Sequence, residues 1–202
     1  KSLAVRFPKH PLFKKLLKNL KYPLAAPSAN ISNRLSSVQA SDVNEEFGSK
    51  LKYILNGGKS QIGLESTIIN LIKKPTILRL GGLEHSKIEK ILKKKIIIKT
   101  NSNSKIAPGQ SFLHYSPGIP LRINIKKPKK NEAFILIKKR KNNFKNYYYL
   151  TKKNNFKQAA KNLYSLLRKI KKDGYKMIAV EKIPNVGFGK TINDRLSRAS
   201  KF

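Results

Sequence analysis

Three short polar constellations in this 202-residue chain have the residue types to hold a small charged ligand, and each also has an ordinary structural reading. The first is Ala25-Ala26-Pro27-Ser28-Ala29-Asn30. Small side chains let a ligand approach the backbone, and in an extended run Ser28 and Asn30 point to the same side. The alternative is an Asx- or Ser-type turn, which these residues form readily. The second is Gly63-Leu64-Glu65-Ser66-Thr67, which runs into the apolar segment Ile68 to Ile72. Hydroxyls at such a junction can hold a small polar ligand, or the segment is plain strand punctuation. Glu65 could be a base or a metal ligand, but one carboxylate makes neither an acid–base dyad nor a metal cage. In the third, Arg79 closes the run Thr76-Ile77-Leu78 and is followed by Leu80, Gly81 and Gly82. A guanidinium there can clamp a phosphate or carboxylate with its two-pronged donor geometry, or it is a surface Arg before a turn. Arg6 poses the same choice. His114 could act as a base, although a lone His in a flexible segment is more often merely polar. Gly187-Phe188-Gly189-Lys190-Thr191 lacks the earlier glycine and the strand context of a phosphate-binding loop and is set aside.

The elements that must position these groups follow from periodicity. Residues 2–7 read as a short strand, and Leu12, Phe13, Leu16, Leu17 and Leu20 predict an amphipathic helix over 9–20. Residues 23–37 read as a loop. Ser41 is the expected cap of a helix carrying Val43, Phe47 and Leu51, which stops before Gly57-Gly58. Strands are predicted at 66–72, 76–80 and 96–99. Between the last two lies a helix opened by the capping-box spacing Ser86-Lys87-Ile88-Glu89 and running to about Lys94. Residues 100–120 lose all periodicity, are rich in Asn, Ser, Pro and Gly, and are long for an ordinary connection. The divisions are therefore 1–99, a linker at 100–118, and 119–202. In the last part, strands at 121–125, 133–137, 147–150 and 177–181, with helices over 155–172 and from about 189, predict a small, mostly parallel α/β domain.

Composition narrows the class. There is no cysteine, hence no disulfide framework, Cys-ligated zinc or thiol nucleophile. No apolar run approaches the ~18 residues of a membrane span, and no secretory signal is visible. No membrane association and a cytoplasmic location are expected. Lys1, rather than Met, opens the chain and reads as a truncation or cleavage point. The formal charge is +35, from 45 Lys+Arg against 10 Asp+Glu. A nucleic-acid binder would carry such a charge, because cationic surfaces release counterions from phosphates. However, 37 of the 45 are Lys and only eight Arg. Specific phosphate and base readers favour Arg, so a lysine-rich compositional drift is the preferred account. Weak RNA binding at low salt follows either way.

Read together, AVRFP (4–8), PLAAPSANISNRLS (23–36), LNGG (55–58), GLEST (63–67), ILRLGG (77–82), APG with HYSP (107–117) and GFGKTINDRLSRAS (187–200) resemble one family, the threonylcarbamoyl-AMP synthases of the longer, two-domain type. Each stretch is weak alone, but their order and spread over nearly the whole chain are specific. The resemblance implies an α/β fold: part of a YrdC-like catalytic domain, an open twisted α/β sheet around a positive cavity, with the linker folded over it. A small Rossmann-like domain of parallel α/β type follows. It also implies that the family's N-terminal portion, with a Lys-x-Arg pair contacting ATP and threonine, precedes Lys1. Local departures are Asn33 where glycine is usual, Ser37 for proline, and Gln110 for a hydrophobic residue.

By matching position, the resemblance assigns Arg6, Ala26 and Ser66 to L-threonine, and Ser2, Ser28, Asn30, Ser36, Arg79 and Tyr115 to ATP. No side chain is assigned as nucleophile or metal ligand. The implied reaction joins ATP, L-threonine and bicarbonate into L-threonylcarbamoyladenylate and pyrophosphate, with Mg2+ accompanying ATP. A tRNA-modifying threonylcarbamoyl transferase would consume the product. This activity marks the chain as a nucleotidyltransferase that the 202 residues alone do not complete. An RNA-binding or regulatory module of the same fold is the alternative, and double-stranded RNA binding is among the expected properties.

Overall fold

The computed structural model describes residues 2–72, 74–100, 107–111, 114–142 and 144–201. Two sheets organise it. The first is three-stranded in the order β1 (Ile68–Asn70), β2 (Thr76–Arg79), β3 (Ile97–Ile98), with β1 antiparallel and β3 parallel to β2. Helix α1 (Pro11–Lys18) and helix α2 (Ala40–Phe47) precede it. The crossover from β2 to β3 is made by α3 (His85–Leu92). Its apolar stripe supplies Ile88 to a small core with Ile77, Leu80 and Ile96.

The second sheet is entirely parallel, in the order β4 (Leu121–Arg122), β7 (Ile178–Val180), β5 (Ala133–Lys138), β6 (Tyr147–Thr151). Helix α4 (Phe156–Lys172) returns the chain from β6 to β7, and α5 (Phe188–Ala199) closes it. Strand β5 (AFILIK) is buried along five of its six residues, as expected of a parallel strand covered on both faces. Ala133, Ile135 and Ile137 face α4 and α5, whereas Phe134 and Leu136 pack on the other side with Ala179, Tyr147 and Tyr149.

The larger core crosses the expected boundary between the two parts of the chain. Leu35, Val38 and Tyr115 are buried in one cluster with Leu163, Tyr164 and Leu167 of α4 and with Ile192 and Leu196 of α5. Burying that much apolar side chain against α4 ties the polar loops of the first part to the second domain. Among the described residues, no helix is long and apolar enough to cross a membrane.

Several expectations need correction. Residues 2–7 form no strand; Leu3, Val5 and Phe7 are exposed, and apolar alternation makes a strand only where a neighbour completes the hydrogen bonds. Ser41 lies inside α2. The helix start is instead secured by Asp42, whose carboxylate accepts from Val38 N at 2.9 Å. Glu89 is not part of a capping box: it accepts from Ile96 N at 3.1 Å and so fastens the far end of α3 to the strand that follows. Asn155, expected inside the helix over 155–172, instead caps α4, accepting from Gln158 N at 3.0 Å.

The three local departures from the family pattern are each accommodated. Asn33 has φ 66°, a left-handed conformation that glycine adopts freely and asparagine tolerates. The Ser37 hydroxyl donates to Ala29 O at 2.6 Å. Gln110 is buried, but its amide donates to Leu78 O and its carbonyl oxygen accepts from Ala107 N, so no polar atom is stranded by the exchange.

Candidate functional site

The site is built where β2 ends beside the start of β1. The pairing sets Ile68 opposite Arg79, and a bulge between Ile68 and Ile69 turns the preceding chain across the end of the sheet. Beyond the ladder, Gly82 N donates to Glu65 O at 2.8 Å, and the Thr67 hydroxyl donates to Leu83 O at 2.6 Å. The segments Gly63–Thr67 and Arg79–Leu83 therefore run as one unit.

Arg79 is the cation of that unit. Its Nε and Nη2 donate to Ser66 O at 3.1 and 2.9 Å, and Nη1 donates to Pro108 O at 3.3 Å. Three of the five N–H donors of a guanidinium are thus engaged by carbonyls. The residue is only 8% exposed, and burial, the largest influence on it, pushes its pKa down. A guanidinium nevertheless stays charged. Among the described residues, Arg122, Arg140, Arg168, Arg195 and Arg198 all pair with carboxylates, and Arg79 does not. A buried cation without an ionic partner is costly unless an anion joins it.

Tyr115 lies against the same place. A methyl group on Gly109 would meet the Tyr115 hydroxyl at 2.5 Å and Arg79 Cδ at 3.0 Å. Tyr115 is 1% exposed, yet its hydroxyl has no hydrogen-bond partner. Burial raises its pKa, so the hydroxyl is kept as a neutral donor. Its φ of 64° is unusual for an aromatic residue, and such a conformation persists where surrounding contacts over-determine it. Those contacts are the rings of Tyr164 at 5.9 Å and His114 at 4.0 Å and the guanidinium of Arg195 at 4.5 Å. The ring of His114 is itself half-buried, and burial lowers its pKa, so it is neutral near pH 7.

Ser66 is exposed, and its carbonyl rather than its hydroxyl meets Arg79, so the hydroxyl remains open beside the cation. Asn30 is buried with Nδ2 donating to Ile31 O and Arg34 O. That is the turn-forming role weighed for it from sequence, but its Oδ1 is left without a partner. The loop carrying it is joined to the linker where Ser116 N donates to Asn33 O at 2.8 Å. Ser36 is drawn in as well, its hydroxyl donating to Glu65 Oε1 in a short hydrogen bond. The structure thus brings Ser36, Ser66, Arg79 and Tyr115 together around Glu65, Pro108 and Gly109. Ser2, Arg6, Ala26 and Ser28 are exposed, and among the described residues none of them hydrogen-bonds to Ser36, Glu65, Ser66, Arg79 or Tyr115.

Glu65 is an anchor, not a free base. Besides Ser36, its carboxylate accepts from Tyr164 Oη at 3.0 Å and from Arg195 Nε at 3.0 Å. Burial pushes the carboxyl up, but Arg195 and the Ser36 hydroxyl outweigh it and hold the group below its ordinary value. Its contribution to stability is therefore present above the ordinary carboxylate pKa and is lost as pH falls through the lower folded value. The melting-temperature gap between the wild type and Glu65→Gln is expected to stay constant near neutrality and to shrink below about pH 4. A gap unchanged in acid down to the limit of folding would refute this.

Sequence reasoning missed Tyr164, Asp194 and Arg195. Arg195 lies inside GFGKTINDRLSRAS, whose sequence signals are a helix and a family resemblance but no role for this side chain. Nothing in local spacing ties it to a glutamate 130 positions away.

Residues 1–81 match a family model described as "Telomere recombination", and residues 83–201 match one described as "Threonylcarbamoyl-AMP synthase, C-terminal domain". A threonylcarbamoyl-AMP synthase of Pyrococcus abyssi is 32% identical over the whole chain, and one of Bacillus subtilis is 29% identical over 98% of it. The chain spans 64% and 63% of those relatives' lengths. A crystal structure of Pyrococcus abyssi Sua5 complexed with L-threonine superposes with a TM-score of 0.84 at 29% identity, covering 97% of this chain and 63% of that one. Two adjoining family models account for almost every residue, and the chain belongs to the threonylcarbamoyl-AMP synthase family.

Proposed function

We propose that this chain carries much of the active site of a nucleotidyltransferase that makes L-threonylcarbamoyladenylate and pyrophosphate from ATP, L-threonine and bicarbonate. The observation that carries the reading is Arg79: a buried guanidinium with no carboxylate partner among the described residues, beside the orphaned hydroxyl of Tyr115. A polyphosphate supplies the missing negative charge and acceptor oxygens. The relative solved with L-threonine lends weight to an amino-acid subsite alongside, where the free Ser66 hydroxyl lies.

In the proposed reaction the threonine nitrogen attacks the bicarbonate carbon, and water leaves to give a carbamate. A carbamate oxygen then attacks the α-phosphorus of ATP, and the bond to pyrophosphate breaks. Neither step needs a side-chain nucleophile, which suits a site whose one carboxylate is committed to Ser36, Tyr164 and Arg195. Positioning and charge stabilisation carry the rate. Arg79 offsets phosphate charge. Tyr115, with the linker, covers the site and limits hydrolysis of the labile carbamate and mixed anhydride. Among the described residues, no three His, Cys, Asp or Glu converge as a metal site. In this reading magnesium belongs to the substrate as MgATP, held by phosphate oxygens and water. Arg6, Ala26, Ser2 and Ser28 complete the ligand contacts in this reading. A cytoplasmic location, product transfer to a tRNA-modifying threonylcarbamoyl transferase, and weak RNA binding go with it.

The complete protein, given ATP, bicarbonate and threonine, is expected to release pyrophosphate only when threonine is present. Release that ignores threonine, or none at all, would reject the reading. The 202-residue chain alone is expected to be inactive, and turnover by it would show that these residues suffice.

A further inference from the structure

The C-terminal α5 reaches into the site through one side chain that the reaction above does not use. Arg195 is 1% exposed, among the most buried side chains of the molecule. Its Nε meets Glu65 Oε2 at 3.0 Å, its Nη2 donates to Leu80 O at 2.6 Å, and its Nη1 pairs closely with Asp194. Glu65 immediately precedes Ser66, and Leu80 immediately follows Arg79. Arg195 therefore grips the chain one residue to either side of the Ser66–Arg79 contact. It also lies over the Tyr115 ring at 4.5 Å. Three residues further along α5, Arg198 donates to Ser111 O at 2.8 Å and to Thr100 O at 3.0 Å, in the middle and at the start of the linker.

Stability alone is a poor explanation for this cluster. A buried ion pair gains little over apolar residues of the same volume, because desolvating both charges cancels most of the attraction. A guanidinium does offer fixed geometry: several donors in one plane, aimed at acceptors from separate segments. We propose that Arg195 is a positioning residue through which the C-terminal domain sets the spacing of the Ser66–Arg79 cradle and the seat of Tyr115 above it. The inference rests on the reading of that cradle as the ATP and threonine pocket, and it gives the second domain a role in the chemistry without touching the reacting atoms.

The test uses Arg195→Lys and, separately, Glu65→Gln in the complete protein, with hydrogen exchange and steady-state kinetics on the same samples. The amides of 63–67 and 79–82 are expected to exchange about tenfold faster in both variants, while those of α4 keep wild-type protection. The value of kcat is expected to fall about 100-fold, with the KM for ATP changing less than about threefold, as for a misplaced but present pocket. Arg195→Lys keeps the charge and loses the fork, so near-wild-type behaviour of that variant would overturn the proposal. So would exchange at 63–67 and 79–82 within about twofold of the wild type in both variants. Loss of α4 protection in both variants would also overturn it, marking a merely structural ion pair. A wild type that releases no pyrophosphate with threonine sinks the functional reading by itself, since the exchange pattern is read without turnover.

Discussion

Replacing Arg79 with alanine in the complete protein is expected to lower kcat/KM for threonine-dependent pyrophosphate release by at least about tenfold. The estimate takes one to two charge-assisted hydrogen bonds to phosphate at roughly 1.5–3 kcal/mol each, with about 1.4 kcal/mol per factor of ten. The substitution also frees the Ser66 and Pro108 carbonyls that the guanidinium now holds, so the threonine subsite and the linker loosen together. Lysine at this position keeps a charge but cannot bridge both carbonyls, and it should recover only part of the loss. A second readout separates ligand binding from folding. ATP that binds the native state raises the melting temperature in proportion to the logarithm of its concentration over Kd. That rise is expected in the wild type and is expected to be absent in Arg79→Ala. Equal ATP-induced shifts in the two proteins would remove Arg79 from the nucleotide site.

The largest effect on stability is expected at Gly63. Its φ is +72°, and a methyl group there would lie 2.3 Å from the backbone oxygen of Lys161 and 2.7 Å from its Cα. Alanine must adopt a left-handed conformation, which costs roughly 1–2 kcal/mol. It must also push α4 away by about 1 Å, in a densely packed region that resists such shifts at a further 1–3 kcal/mol. Gly63→Ala is therefore expected to lose about 2–5 kcal/mol, a fall of roughly 4–20 °C in melting temperature at this chain size. Gly58 is the natural control, with φ +77° but nothing within 4 Å of an added methyl group, so Gly58→Ala should show the conformational cost alone. Equal losses at the two positions would mean that contact with α4 does not constrain the site. Because α4 carries Tyr164, the Gly63 variant should also weaken the hydroxyl contact to Glu65.

These expectations rest on features of unequal visibility in the sequence. The turn from β2 into Gly81-Gly82, the amphipathic α4, and the four strands of the parallel sheet were all legible from local patterns. Each is decided within about a dozen residues by side-chain period and capping chemistry. Residues 2–7 misled because strand character is completed by a partner, and none lies beside them among the described residues. The expected helix caps at Ser41 and Ser86 misled for a related reason. Several nearby groups can satisfy the first amides of a helix, and in α2 Asp42 secures the start.

Much the same division runs through the site. Arg79 and Ser66 could be picked out by residue type, at strand ends where a ligand can reach them, and the ordered motifs pointed to a family and a reaction. The chain by itself thus determined most of the secondary elements, the α/β architecture and the kinds of side chain available. Only the tertiary structure decided that Glu65 is an anchor and not a base, that Arg79 lacks an ionic partner, and that α5 reaches across to hold the site. Those facts depend on contacts between residues 99 and 130 positions apart, Glu65 with Tyr164 and Arg195. Helical and strand periods report which face of an element is apolar. They carry no information about which distant charge that face will meet once water is excluded, and in that dry setting electrostatic pairing is strong enough to fix a carboxylate's role.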